Sequence, residues 1–291
     1  MKRMVLGAAV AALAGSAHAA DTFGYQPVES NPLSGHVEGY LGGLNISFDS
    51  GFSNDDETYL TYGGAGRLNY NFAGNWNVQG DLFIDNIKID EGDVSNLYGY
   101  GAAAHVYWRD PSSFALGAFA SIETYRGIDF TFDDDTYSYR YGAEGQVYFD
   151  RVTLYGQLYL GQIDIPDAPV DFDTWGVRGV VRYFVRDNLR IDGELGFHEL
   201  NVGDSFGPSI DMETFSAALQ ASYRFTGTPL TVFGRYQYDT TSVSLASVEL
   251  DTHKFVIGLR GTFGSSTLRA EDRNGATMDV WRPNMILPLI F

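Results

Sequence analysis

The stretch TYLTYGGAGRLNYNF, residues 58–72, decides the fold class. Its side chains sort into two sets by simple alternation. Leu60, Tyr62, Gly64, Gly66, Leu68, Tyr70 and Phe72 make one set; Thr61, Gly63, Ala65, Arg67, Asn69 and Asn71 make the other. A period of two marks an extended strand whose two faces meet different surroundings.

Working outward, the same alternation recurs along most of the chain. It runs over residues 76–84, 98–108, 114–124, 137–149, 152–162, 175–185, 189–197, 215–225, 230–238 and 255–263. An earlier segment, Val37 to Phe48, brings the number to twelve. There both Val37-Gly39-Leu41 and Tyr40-Leu44-Ile46 alternate, so its face is left open. The apolar faces of the other eleven carry no charged residue. Connections between segments follow a rule. Residues 73–75, 109–113, 150–151, 186–188 and 226–229 are short; 49–57, 85–96, 126–136, 163–174, 198–214 and 239–252 are longer. A soluble sandwich has no such rule, whereas a membrane-spanning barrel has tight turns at one end and long loops at the other. The expectation is an all-β, antiparallel, up-and-down transmembrane barrel of about twelve strands.

Composition agrees. The 291 residues include 34 Gly, 19 Tyr and 20 Phe, a mixture that neither disordered nor helical chains favour. The absence of cysteine excludes a disulfide framework, a thiolate metal site and a cysteine nucleophile. A net charge of −18 argues against nucleic acid as a partner. Met1-Lys2-Arg3, the apolar run Val5 to Ala14 and Ala17-His18-Ala19 read as a secretory signal peptide over residues 1–20, cut after Ala19 or Ala20. The expected organisation is then a periplasmic segment 21–33, a barrel 34–263 and a periplasmic C-terminal tail 264–291, with both termini periplasmic.

Aromatic residues sort by strand end. Phe72, Trp76, Trp108, Phe114, Phe149, Tyr183, Phe225 and Phe263 fall at the short-turn edge; Tyr62, Tyr98, Tyr137, Trp175, Phe197, Phe215 and Tyr238 fall nearer the long loops. Two such girdles are expected where amphipathic rings sit at headgroup depth. On these features residues 34–263 resemble the bacterial outer-membrane β-barrel, porin-like proteins, without a family-specific motif. The resemblance implies a Gram-negative outer-membrane location, contact with outer-membrane lipid and recognition of a terminal aromatic by the barrel-assembly machinery. Phe263 closes the last strand but lies internally, while Phe291 is terminal and follows Pro288, which disfavours a paired strand.

The charges of the chain after the signal peptide fall in three compartments, one of them a periplasmic remainder of six bases and nine acids that includes Glu38 on the open first strand. The long loops hold 21 acids against Lys88 and Arg126, a balance of −19. Nine bases point inward: Arg67, Arg140, Arg178, Arg182, Arg190, Arg224, Arg235, Lys254 and Arg260. Seven acids join them: Asp81, Asp85, Glu123, Glu144, Asp192, Glu194 and Asp239. Charges facing lipid cost roughly 2–4 kcal/mol at the midplane, which places these residues in the lumen. There they either set up a transverse field along a pore or pair across it and fill it. Twelve strands lie between barrels that are filled and barrels that hold water, so size does not choose. Acidic runs such as Asp55-Asp56-Glu57, Asp90-Glu91-Gly92-Asp93, Asp133-Asp134-Asp135 and Asp171-Phe172-Asp173 read as solvated loop tips or as calcium ligands, and none has EF-hand spacing.

No catalytic residue, metal site or cofactor is expected. Outer-membrane phospholipases resemble this barrel but carry a His-x-Ser pair, and no histidine here has that serine. His198 and His253 lie near the acids Glu199, Asp211 and Asp251, as a barrel protease would require. The tail stops alternating after Gly264 and carries Trp281 and an apolar end, Met285–Phe291; a disordered end, a plug and a partner contact are all compatible with it. The functional expectation is a passive diffusion channel for small polar or charged solutes. A non-conducting structural, adhesive or lattice-forming barrel is the alternative and a hydrolase a distant third; a homo-oligomer is left open.

Overall fold

The structure, a computed structural model, describes residues 32–49, 54–89, 96–127, 136–165, 171–203, 210–243 and 249–284. The expected signal peptide, the acidic runs at 90–93 and 133–135, and the terminal 285–291 lie outside the described residues.

Twelve strands form: β1 (Leu33–Asp49), β2 (Asn54–Ala73), β3 (Trp76–Lys88), β4 (Leu97–Asp110), β5 (Phe114–Arg126), β6 (Thr136–Tyr148), β7 (Val152–Asp164), β8 (Asp171–Arg186), β9 (Leu189–Gly203), β10 (Ile210–Arg224), β11 (Leu230–Val243) and β12 (Glu249–Phe263). Each pairs antiparallel with its sequence neighbours. β1 closes on β12 from Gly35↔Phe263 to Asp49↔Glu249, so no backbone edge is left open. Closure satisfies every ladder within the sheet, the condition for a sheet in lipid.

The strands run further at the long-loop end than the apolar alternation indicates. β1 and β2 stay paired to Asp49↔Asn54, so the connection expected at 49–57 shortens to residues 50–53. Backbone pairing does not need an apolar face, and the ladder continues beyond the greasy belt. The open face of β1 also resolves. Val37, Gly39 and Leu41 face outward, while His36, Glu38, Tyr40 and Leu44 face the lumen.

Burial is inverted relative to a soluble protein. Leu82 is 67% exposed and Val37 68%, whereas Arg140 is 3% exposed and Arg224 not at all. Only a surround of hydrocarbon makes that arrangement favourable. Girdle rings pack in pairs at both ends, Trp108 with Phe114 (5.0 Å) and Trp175 with Phe197 (5.4 Å).

Candidate functional site

Every inward charge read from the sequence points into the lumen. Most pair on the wall. Arg67 Nε lies 3.1 Å from Asp81, and Arg140 bonds Glu123. Glu144 meets His105 at 2.7 Å. Glu194 receives both Arg178 (2.7 Å) and Arg235 (3.0 Å), and Arg190 pairs with Asp192 at 2.8 Å. Asp239 accepts from Ser216 and from Gln237 (2.9 Å). Lys254 reaches Asp85 at 3.5 Å and Arg260 reaches Glu38 at 2.6 Å. Arg182 and Arg224 have their acidic partners elsewhere, on the tail.

The tail is not a periplasmic extension. That expectation is corrected for residues 264–284, which fold back through the lumen. Gly264 makes the reversal: its φ is +79°, and a Cβ there would lie 2.6 Å from the Leu33 carbonyl oxygen. Only glycine accepts both conditions without strain. Thr267 then caps a short helix, α1 (Leu268–Asn274), by accepting from the Ala270 amide at 3.0 Å. Arg269 stays near the short turns, 3.0 Å from Asp150 and 3.5 Å from Asp187. Arg282, further on, bonds Asp85 near the opposite end of β3. The segment therefore threads most of the lumen height.

The wall holds this segment mainly through arginines. Arg224 bonds Glu271, which His36 also approaches at 3.1 Å. Arg182 donates to Asp272 (2.8 Å) and to the Thr277 hydroxyl (2.6 Å). Arg178 grips Asp279 with both terminal nitrogens, at 2.7 and 3.2 Å. Three further groups donate to tail carbonyls: Arg109 to Gly275 (2.7 Å), Gln79 to Met278 (2.8 Å) and Arg140 to Trp281 (2.7 Å). Charged and bidentate bonds of this kind are the strong class. Burial alone would push the Asp279 carboxyl up; Arg178, then Arg67 and Arg182, hold it well below the ordinary carboxylate range instead.

Trp281 is the apolar anchor. Its ring is 2% exposed, packs with Phe119 and Tyr159, and fills a slot left by Gly196. A Cβ on Gly196 would lie 2.1 Å from the indole. Alternation in β9 gives no hint of this slot. Likewise Arg109, His36 and Glu38 are lumen groups that the sequence reading placed in a turn, left unassigned or counted with the periplasmic charges, because strand ends and β1 lack a clear apolar face.

Beside the seated segment a cavity of about 170 Å³ remains, against β8–β12, β1 and β2. Arg67, Arg178, Arg190, Arg235, Lys254 and Arg260 line its wall. The tail contributes Glu271, Asp272 and Asp279 to the same space.

The histidines form no catalytic set among the described residues. His198 is buried, 2.5 Å from the Tyr159 hydroxyl and about 3 Å from Thr174, with no carboxylate bonded to it. His253 lies near the long-loop end, 2.7 Å from the Tyr236 hydroxyl and beside the Tyr238 ring. No group of three acids or histidines among the described residues could hold a metal ion.

This is the fold of the bacterial outer-membrane β-barrels. No protein-family model matches the chain, and no curated protein matches it. Among solved structures, an outer membrane channel from Pseudomonas putida F1 aligns with a TM-score of 0.59 at 12% identity, over 84% of this chain and 100% of that one. The translocator domain of the autotransporter NalP from Neisseria meningitidis gives 0.50 at 12% identity, over 80% and 90% of the two chains. At such identities the likeness is one of fold.

Proposed function

We propose that the protein is an outer-membrane diffusion channel for small polar or charged solutes, with its short-turn end in the periplasm and its own C-terminal segment as an internal constriction. One observation carries the reading. The barrel wall is charged along its height, yet part of its filling is a separate segment whose covalent link to the wall is at Gly264 alone. In a barrel that is simply filled, as those of about eight strands are, the inward side chains of the strands take up the lumen themselves. Here those side chains leave space, and part of it stays open beside the tail. The sixteen charged positions from Arg67 to Arg260 then line the path, with Arg178 and Arg182 bonded to Asp279 and Asp272 of the tail. No step of this function needs catalysis.

The network of arginine bonds to the tail favours a second reading, a barrel kept shut as a structural element. Planar-bilayer recordings of the refolded protein in symmetric potassium chloride separate the two. Discrete current steps support the channel. Silence from a folded, heat-modifiable barrel selects the structural role.

A further inference from the structure

The tail offers the wall three carboxylates, and the wall answers each with arginine. Asp279 sits in the fork of Arg178, Asp272 lies against Arg182, and Glu271 bonds Arg224 with Arg260 at 3.6 Å. These three acids and four arginines come from opposite sides of one separable interface. Planar guanidinium forks match carboxylate geometry better than any other common cation. With the tail removed from the count, the inward face carries more bases than acids, and Arg182 and Arg224 lose their acidic partners.

A second observation points the same way. The cavity beside the tail opens onto this same wall, with Arg190, Arg235 and Lys254 along it, and Gln220 and Gln237 supply neutral donors. Arg178 lines the cavity too, and its buried Nε has no hydrogen-bond partner. The wall thus presents cationic groups to the cavity, Arg190, Arg235 and Lys254, that no tail carboxylate neutralises.

We infer that the arginine wall of β8–β12 is a binding site for small organic anions bearing two or more carboxylates, and that Glu271, Asp272 and Asp279 occupy it as a built-in surrogate. The ligand class rests on the proposed channel, since such an anion must reach the lumen. The binding itself does not depend on current flow. A multivalent anion displaces the tail carboxylates one for one and leaves the arginines neutralised. A monocarboxylate replaces only one of the three and leaves the others seated.

The test is calorimetric titration of citrate into the full-length folded protein. Asp279→Asn should tighten citrate binding at least tenfold relative to wild type, because the surrogate is weakened while the wall is intact. Arg178→Ala and Arg182→Ala added together in that background should abolish the binding, and spermidine, a cation of similar charge magnitude, should bind none of these forms. If Asp279→Asn fails to give a heat-modifiable barrel, Glu271→Gln serves the same purpose. Citrate affinity equal in wild type and variant, retained without the two arginines, or absent throughout overturns the inference. Silence in bilayers with citrate binding preserved overturns the channel reading alone; clear currents with no citrate binding overturn only this site.

Discussion

Replacing Trp281 with alanine tests how the tail is held. The indole is 2% exposed and packs with Phe119, Tyr159 and the Gly196 slot, so truncation leaves a cavity that rigid strands cannot close. Such truncations cost about 3–5 kcal/mol in well-packed sites. The lower end applies here, because the tail backbone beyond Asp279 can settle partly into the slot. About 3 kcal/mol against seating is roughly a hundredfold rise in the unseated population, at about 1.4 kcal/mol per tenfold. Hydrogen exchange reads that population directly when closing is fast. Amides of residues 276–284 should exchange roughly a hundredfold faster in the variant, with those of β8 and β9 unchanged. The Asp279 and Asn284 amides are informative, since Tyr155 and Asp239 accept from them in the seated state. A rise of less than about threefold, with the barrel intact, would refute the view that Trp281 anchors the segment, and would leave the arginine bonds as the whole of the attachment.

Gly264→Val places a β-branched residue at φ +79° and against the Leu33 carbonyl; strain of about 1–3 kcal/mol should unseat the tail and be visible as new protease sites in residues 265–284. Acid should act late. Asp279 and Glu271 are buried, yet their arginine and histidine partners hold both below the ordinary carboxylate values of 3.8 and 4.5. A depressed carboxylate contributes stability above its unfolded pKa and loses it as pH falls through the folded one. The protection factors of residues 271–284, corrected for the intrinsic pH dependence of amide exchange, should therefore hold from pH 7 to pH 5 and fall progressively only below about pH 4, whereas loosening already at pH 5 would contradict the pairing. On the lipid face, Leu158→Arg should destabilise the folded barrel by roughly 2–4 kcal/mol in a urea titration in bilayers, with no effect on tail exchange.

The wall was legible in the sequence because lipid and lumen impose opposite demands on alternate residues. Leu60, Leu68 and Phe72 against Arg67 and Asn69 state that demand within one strand. The sixteen charged positions followed from the same rule, since a wrongly faced charge would meet hydrocarbon. The rule is silent where a chain segment meets protein on all sides. Residues 264–284 alternate with nothing, and their wall partners lie far along the chain, 47 positions for Arg224 with Glu271, 101 for Arg178 with Asp279 and 199 for Gln79 with Met278. Glu38 was ambiguous for a related reason: the glycines of β1 carry no side chain to declare a face.

The sequence posed the inward charges as either a field across a pore or a filler of pairs, and the tail removes that opposition. Wall acids neutralise part of the arginine surface permanently, as Glu194 does between Arg178 and Arg235. The tail neutralises the rest reversibly in principle, because its attachment to the wall beyond Gly264 is noncovalent. Breaking one buried pair on the wall costs about 3–5 kcal/mol, since it strands an unpaired charge. Exchanging the tail for a solute of like charge strands none. A tethered segment also acts at an effective concentration of roughly millimolar, so a free anion competes only by matching several of its contacts at once. Selectivity for multivalent solutes then follows from the tether as much as from the arginines: shortening or neutralising the tail should relax it, whereas changing the outer girdles should not.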